Sequence, residues 1–204
     1  SIGDEPASKD ADEPHYKDAT ERAKAARDLF VKTAAGHKGT GAGAIAHLYA
    51  GHASLKLGEY DAAVAQYQAY LDATPKSDPV RFAGLSGLAT ALEAKGDRKG
   101  AIAKYEELVA LPDKIDEDAA LLELGRLYQE DGNPTAARAA LERIGKEFPE
   151  SSLKTRADEM LATLGPAAEK PSDTKPDATK PDATKSDATK SDATKSDATK
   201  AEGG

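Results

Sequence analysis

Gly51–Pro75 reads GHASLKLGEYDAAVAQYQAYLDATP, and its key residues fall at fixed intervals: Gly51, Gly58 seven on, Ala63 five further, Tyr67 four further, Pro75 eight beyond. The skeleton returns as Ala89, Gly96, Ala101 and Tyr105. It returns again as Gly125, Gly132, Ala137 and Leu141, closing on Pro149. A period of about 34 residues with this internal spacing signals stacked helix-turn-helix units. In each pair, the small residue of the first helix and the Ala of the second mark where the two backbones come closest. The large residue four on from that Ala fills the space toward the neighbouring unit. Leu in place of Ala63, Ala101 or Ala137 is therefore expected to overpack the contact, at about 1–3 kcal/mol each.

Working outward, helical periodicity predicts pairs at 42–57 with 60–73, 79–95 with 98–110, and 116–131 with 134–147. Asp78 before Pro79 reads as an N-cap with Pro at the first helical position. Gly132-Asn133-Pro134 reads as a C-terminal cap, an N-cap and a pre-set first turn in succession. Upstream, Tyr16, Ala23, Ala26, Phe30 and Ala34 put an N-terminal helix over 14–35, ended by GHKGTG (Gly36–Gly41). Downstream, Leu153, Ala157, Leu161 and Leu164 share one face of a last helix over 152–164, which should cover the final repeat. The expected fold is all-α: a right-handed α-solenoid of antiparallel helix pairs, three units with a capping helix at each end. Residues 1–13 are expected to be flexible and 14–165 to form the solenoid. Residues 166–204 read as a disordered tail.

That tail holds no Val, Ile, Leu, Met or aromatic residue and repeats PSDTK, PDATK, PDATK, SDATK, SDATK, SDATK over Pro171–Lys200. It cannot build a core, and as a flexible chain it would span about 35 Å root mean square. It reads as a spacer, a multivalent weak ligand, or neutral repeat expansion. The net charge of −8 argues against nonspecific binding to nucleic acid or anionic lipid. The chain has no cysteine, hence no disulfide framework and no thiol catalysis. No apolar run reaches the roughly 18 residues of a membrane helix. The chain opens on Ser1 rather than Met, which leaves room for a signal or anchor upstream.

The three units resemble the tetratricopeptide repeat, with consensus W-x₂-L-G-x₂-Y…A-x₃-F…P. Leu124-Gly125, Tyr128, Ala137, Leu141 and Pro149 match it in the third copy, and Gly51, Ala63, Tyr67 and Pro75 in the first. His47, Leu85 and Leu121 stand where the consensus opens on an aromatic residue, and Pro112 comes one place early. The Ala-rich Ala42–Leu55 and the following LxLGEYDAAVAQYQAYL run are similar to the YfgM-like group of bacterial repeat proteins. FPESSLKTRADEMLATL (Phe148–Leu164) is similar to the ends of envelope repeat proteins of the Tol-Pal and outer-membrane assembly systems. These resemblances imply a periplasmic location or the periplasmic face of the inner membrane, near the secretion translocon and chaperones. A cytoplasmic scaffold is the alternative. Attachment to a membrane would come only through an N-terminal anchor outside this chain.

The resemblance further implies a binding groove lined by the first helix of each pair. By repeat position its lining is Ile45, Leu48, His52, Leu55 and Lys56 from unit one and Ala83, Ser86, Thr90 and Glu93 from unit two. Unit three adds Leu122, Arg126, Gln129 and Glu130. Such a groove would take other proteins or peptides, not nucleic acid, with no cofactor. Some of these residues could instead pack against the N-terminal helix. Leu48 and His52 stand where a carboxylate-clamping repeat would carry Lys and Asn, which speaks against such a clamp. Of His15, His37, His47 and His52, the last two lie five apart on a helix and so well apart in azimuth rather than on a common ligand face, and Asp113–Asp118 (DKIDED) lacks the Gly and alternation of a calcium loop. Acids there suit a helix start. No catalytic motif is visible, so a non-catalytic interaction module is expected, with a structural assembly subunit as the second reading.

Overall fold

The computed structural model describes residues 16–165. The expectations of a loose segment at 1–13 and a disordered tail from 166 fall outside them. Within the described residues there are eight helices: α1 (Ala19–Gly36), α2 (Gly41–Lys56), α3 (Tyr60–Ala73), α4 (Arg81–Ala94), α5 (Arg98–Val109), α6 (Glu117–Glu130), α7 (Pro134–Glu147) and α8 (Lys154–Thr163). Each helix packs on the next, and α2 also meets α4, as α6 meets α8. The chain is thus a stack of α2/α3, α4/α5 and α6/α7 hairpins, with α1 against α2 and α8 in the place of a fourth first helix.

The hairpins turn by one mechanism. Gly58, Gly96 and Gly132 have φ of 74°, 87° and 75°, the left-handed conformation that ends a helix. Behind each, the next N–H reaches back to close the last turn: Glu59 to the Ser54 carbonyl at 2.9 Å, Asp97 to Leu92 at 2.9 Å, Asn133 to Tyr128 at 2.8 Å. Asp97 and Asn133 then cap the following helix, accepting from the Gly100 and Ala136 N–H groups. Glu59 caps nothing with its side chain; it pairs with Arg27 of α1 instead.

Packing follows from the small residues. Ala63, Ala101 and Ala137 are all fully buried. A Cβ on Gly125 would sit 2.5 Å from Leu141, and one on Gly51 2.9 Å from the Tyr67 ring, so bare backbone is what lets these side chains lie flat on the first helix. Tyr67 fills the space toward the neighbouring unit, as the repeat spacing indicated. It lies against Gly87, where a Cβ would fall 2.3 Å from Cζ, and so joins the first hairpin to the second.

Three local expectations need correction. α4 starts at Arg81, not at Pro79: the Asp78 carboxylate accepts from the Val80 N–H and the Tyr70 hydroxyl, both at 2.8 Å. It therefore closes a turn over Pro79 before the helix begins. α1 starts at Ala19 instead of Pro14, because Asp18 accepts from the Glu21 N–H and caps it there. The acids at the start of α6 are not merely a charged helix entry. Glu117 is 1% exposed, held by Lys114 at 2.9 Å and by Arg143 of α7. At the equivalent place in the preceding hairpin the signs are reversed: buried Arg81 of α4 donates to Glu107 of α5 and to the Leu71 carbonyl, each at 3.1 Å.

Candidate functional site

The first helices α2, α4 and α6 share one face of the stack, and two adjoining recesses open on it. One, of ≈ 290 Å³, lies between α2 and α4 and is lined by His52, Leu55, Phe82, Ala83, Ser86, Thr90 and Asp116, with Tyr67 and Gly87 beneath. The other, of ≈ 310 Å³, lies between α1 and α2, with Ala19, Arg22, Ala23, Ala26 and Phe30 on one wall and Tyr49, Ala53 and Lys56 on the other. His52 borders both, so the two form one continuous surface.

Helical geometry explains which α2 residues arrive there. At 100° per residue, Ile45, Tyr49, His52 and Lys56 form a single stripe. Ile45 and Tyr49 are exposed at 37% and 49%. From this stripe an aromatic run crosses the face. Phe30 stacks on Tyr49 at 5.2 Å between centroids and 24° between planes, Tyr49 meets His52 at 6.2 Å, and His52 meets Tyr67 edge-on at 5.4 Å. Such contacts are worth about 0.5–1.5 kcal/mol each beyond burial, which fixes Tyr49 and His52 as a preformed platform. Burial lowers the His52 pKa below the usual imidazole value, so the ring is neutral near neutral pH.

The α4–α6 end is electrostatically different. Arg126 donates to both carboxylate oxygens of Glu93 at 2.7 and 2.8 Å, to Glu123 at 2.9 Å and to Glu130 at 2.8 Å. Burial works against its charge, but the bonds to Glu123, Glu93 and Glu130 outweigh it and raise its pKa. Glu130 also pairs with Arg98 of α5 at 3.3 Å, so three carboxylates stand against two guanidinium groups and this end stays mildly acidic. Gln129 and Glu130 are exposed beside it.

Of the residues expected in the lining, His52, Leu55, Lys56, Ala83, Ser86 and Thr90 border the recesses, and Ile45 lies on the same stripe. Leu48 and Leu122 do not: at 3% and 7% exposure they belong to the core, one position round the helix from the open face. Arg126 and Glu93 are committed to each other. Phe30, Tyr49 and Arg22 were missed. The repeat spacing places α2 but says nothing of α1, and an exposed Tyr beside a Leu carries no local signal of which one faces out. Thr90 back-bonds to the Ser86 carbonyl at 3.0 Å and lies 3.3 Å from the Tyr105 hydroxyl. Among the described residues the Tyr67 hydroxyl is buried without a partner, and burial raises its pKa.

A further depression, of ≈ 630 Å³, lies elsewhere, at the α2–α3 turn and the end of α4, crossed by the Asp61–Lys95 ion pair. It is open to solvent and lined by Gly58, Glu59, the start of α3 and the end of α4. His47 is engaged through Nδ1 with Gln66 at 2.7 Å. Among the described residues no three His, Cys, Asp or Glu side chains gather as metal ligands, and no helix is long and apolar enough to cross a membrane. What the face offers chemically is aromatic area, hydroxyls and an imidazole, which bind and orient.

A family model described as tetratricopeptide repeat matches residues 15–78 and 58–120, and a second model of the same description matches 119–151. Among solved structures, the nearly identical TPR-like repeats of a kinesin-light-chain-type protein of Podosopora anserina are similar. The TM-score is 0.60 at 21% identity, over 70% of this chain and 77% of that one. A substituted form of those repeats gives a TM-score of 0.55 at 17% identity, over 73% and 87%. At such identities the likeness is one of fold. No curated protein matches.

Proposed function

The chain belongs to the tetratricopeptide repeat family, and on that premise we propose a protein–protein interaction module whose open face holds segments of partner polypeptides. The observation that carries this reading is the aromatic run Phe30–Tyr49–His52–Tyr67 beside two connected recesses. Rigid aromatic rings present contact area at low entropy cost, which is where binding energy concentrates. The hydroxyls of Ser86 and Thr90 can hydrogen-bond a peptide backbone laid along α4. The groove lining proposed from the sequence is thereby kept for His52, Leu55, Lys56, Ser86 and Thr90 and extended to Tyr49.

The finer reading is a holding factor of the bacterial envelope, at the periplasmic face of the inner membrane and close to the translocon. It rests on the similarity of Ala42–Leu55 and Phe148–Leu164 to envelope repeat proteins. Crosslinking pull-downs from fractionated source cells test both levels. Partners recovered from the envelope fraction, and lost with Tyr49→Ala plus His52→Ala, are expected. Partners recovered only from cytoplasm would end the envelope reading. Partners that survive those substitutions would move binding off this face and favour an assembly subunit.

A further inference from the structure

We propose that the recess between α1 and α2 is a subsite for an acidic peptide carrying one apolar anchor residue, supplied by a partner. This rests on the reading of the open face as a binding surface and gives one end of it a chemistry. The recess floor is apolar, made of Ala23, Ala26, Ala53 and the rings of Phe30 and Tyr49. Its ≈ 310 Å³ lies at the low end of ligand sites, about 300–1,000 Å³. That suits one anchoring side chain rather than a whole helix.

The rim decides the charge of the occupant. Arg22 stands on the α1 wall and Lys56 on the α2 wall. Among the described residues neither has a carboxylate in ion-pair contact, whereas every other arginine from α1 to α7 does: Arg27, Arg81, Arg98, Arg126, Arg138 and Arg143. In a chain of net charge −8, carboxylates are abundant. An arginine left unmatched beside an apolar recess, facing a lysine across it, is therefore a place for negative charge brought from outside. Arg also offers a planar fork that grips a carboxylate in two bonds. The opposite end of the face, where Glu93, Glu123 and Glu130 outnumber Arg126 and Arg98, disfavours the same charge. An acidic segment is thus drawn to α1–α2 and turned away from α6, which sets the direction in which a peptide lies.

The chain's own first residues are a rival occupant. Asp4, Glu5, Asp10, Asp12 and Glu13 stand against one Lys9, with Ile2 as an apolar residue, and they lead directly into α1. The test separates the two. A short fluorescein-labelled peptide with a central Leu between runs of Asp and Glu is titrated by anisotropy against the full chain at low salt. Binding is expected, weakened about tenfold or more by Arg22→Glu with Lys56→Glu, and by a similar factor with Tyr49→Ala. Unchanged circular-dichroism melting of these surface variants shows that the fold is kept.

Equal binding of a peptide with Lys in place of the acids would overturn the proposal, as would an indifferent Arg22→Glu/Lys56→Glu variant or no binding at all. Binding that emerges only after Asp10→Asn, Asp12→Asn and Glu13→Gln would assign the recess to the chain's own N-terminal segment and also overturn it. Any of these results, with partners still crosslinking along α4 and α6, would remove the acidic subsite and leave the interaction face standing.

Discussion

Replacing Gly87 by Ala puts one methyl group into the joint between the first two hairpins. The new Cβ would lie 2.3 Å from Cζ, 2.4 Å from Cε1 and 2.8 Å from the hydroxyl of Tyr67. That ring cannot step aside. It is 0% exposed, and its other flank rests on Gly51, where an ideal Cβ position is 2.9 Å away. Overpacking a filled core costs about 1–3 kcal/mol. The gain in helix propensity from Gly to Ala returns up to about 1 kcal/mol. With three ring atoms inside contact distance, a net loss of about 1–2 kcal/mol is expected, read as a lower urea midpoint at constant slope. Gly145→Ala is the matched control, since a Cβ there meets nothing within 4 Å; it should gain about 0.5–1 kcal/mol. In a Tyr67→Leu background the penalty of Gly87→Ala should largely vanish, a coupling that a double-mutant cycle reads directly. Equal stabilisation by Gly87→Ala and Gly145→Ala would refute the packing of Tyr67 between the two hairpins.

Other expectations follow from single contacts. Tyr67→Phe removes a buried hydroxyl that has no partner among the described residues, so thermal melting should be unchanged or rise, by up to about 1 kcal/mol of stability; a clear loss would reveal an unseen partner. Ala63→Leu, Ala101→Leu and Ala137→Leu should each cost about 1–3 kcal/mol in urea titrations, while Leu at the exposed Ala103 should cost little. Glu117→Ala leaves Arg143 and Lys114 facing an emptied buried site, and should cost about 2–3 kcal/mol, less than for a fully buried pair because both cations reach solvent. Acid should destabilise the chain in a defined window. The Arg143 bond, assisted by Lys114, holds the Glu147 carboxyl down to about 2 against the opposing effect of burial. At Glu107 burial pushes upward but Lys104 and Arg81 win, so its pKa too lies below the ordinary value of 4.5. Groups with depressed native pKa values stabilise fully above the unfolded value and lose that contribution as pH falls through the native one. The urea midpoint should therefore fall between about pH 4.5 and 2, and Glu147→Gln should flatten that slope; an unchanged slope would count against the pairing.

The repeat geometry was legible because it is enforced locally. A left-handed turn admits Gly at Gly58, Gly96 and Gly132 with least strain, and close helix approach admits only small residues at Ala63, Ala101 and Ala137. Asn133 and Pro134 fixed the start of α7 to the residue. What escaped was set by residues far apart in the chain. Glu117 looks like one acid in an acidic run until Arg143 of the next helix closes on it. Asp78 looks like a helix cap until the Tyr70 hydroxyl takes part in its turn. On the face itself, the choice between Leu48 and Tyr49 turns on a rotation of one residue, about 100°. The repeat alignment did not resolve that rotation, whereas contact with α1 does. Phe30 and Arg22 could not be assigned to the face before α1 had been placed against α2.

The central claim is that the face of α2, α4 and α6, not the outer face of α3, α5 and α7, meets partner polypeptides. A photocrosslinking amino acid placed singly at Tyr49, Thr90 and Gln129, and for comparison at Gln68, Ala103 and Ala139, tests it in source cells. These comparison positions are exposed on the second helices. Discrete adducts at Tyr49, Thr90 and Gln129, with none at Gln68, Ala103 and Ala139, are the expected result. Adducts confined to the second helices, or spread evenly over both faces, would contradict it.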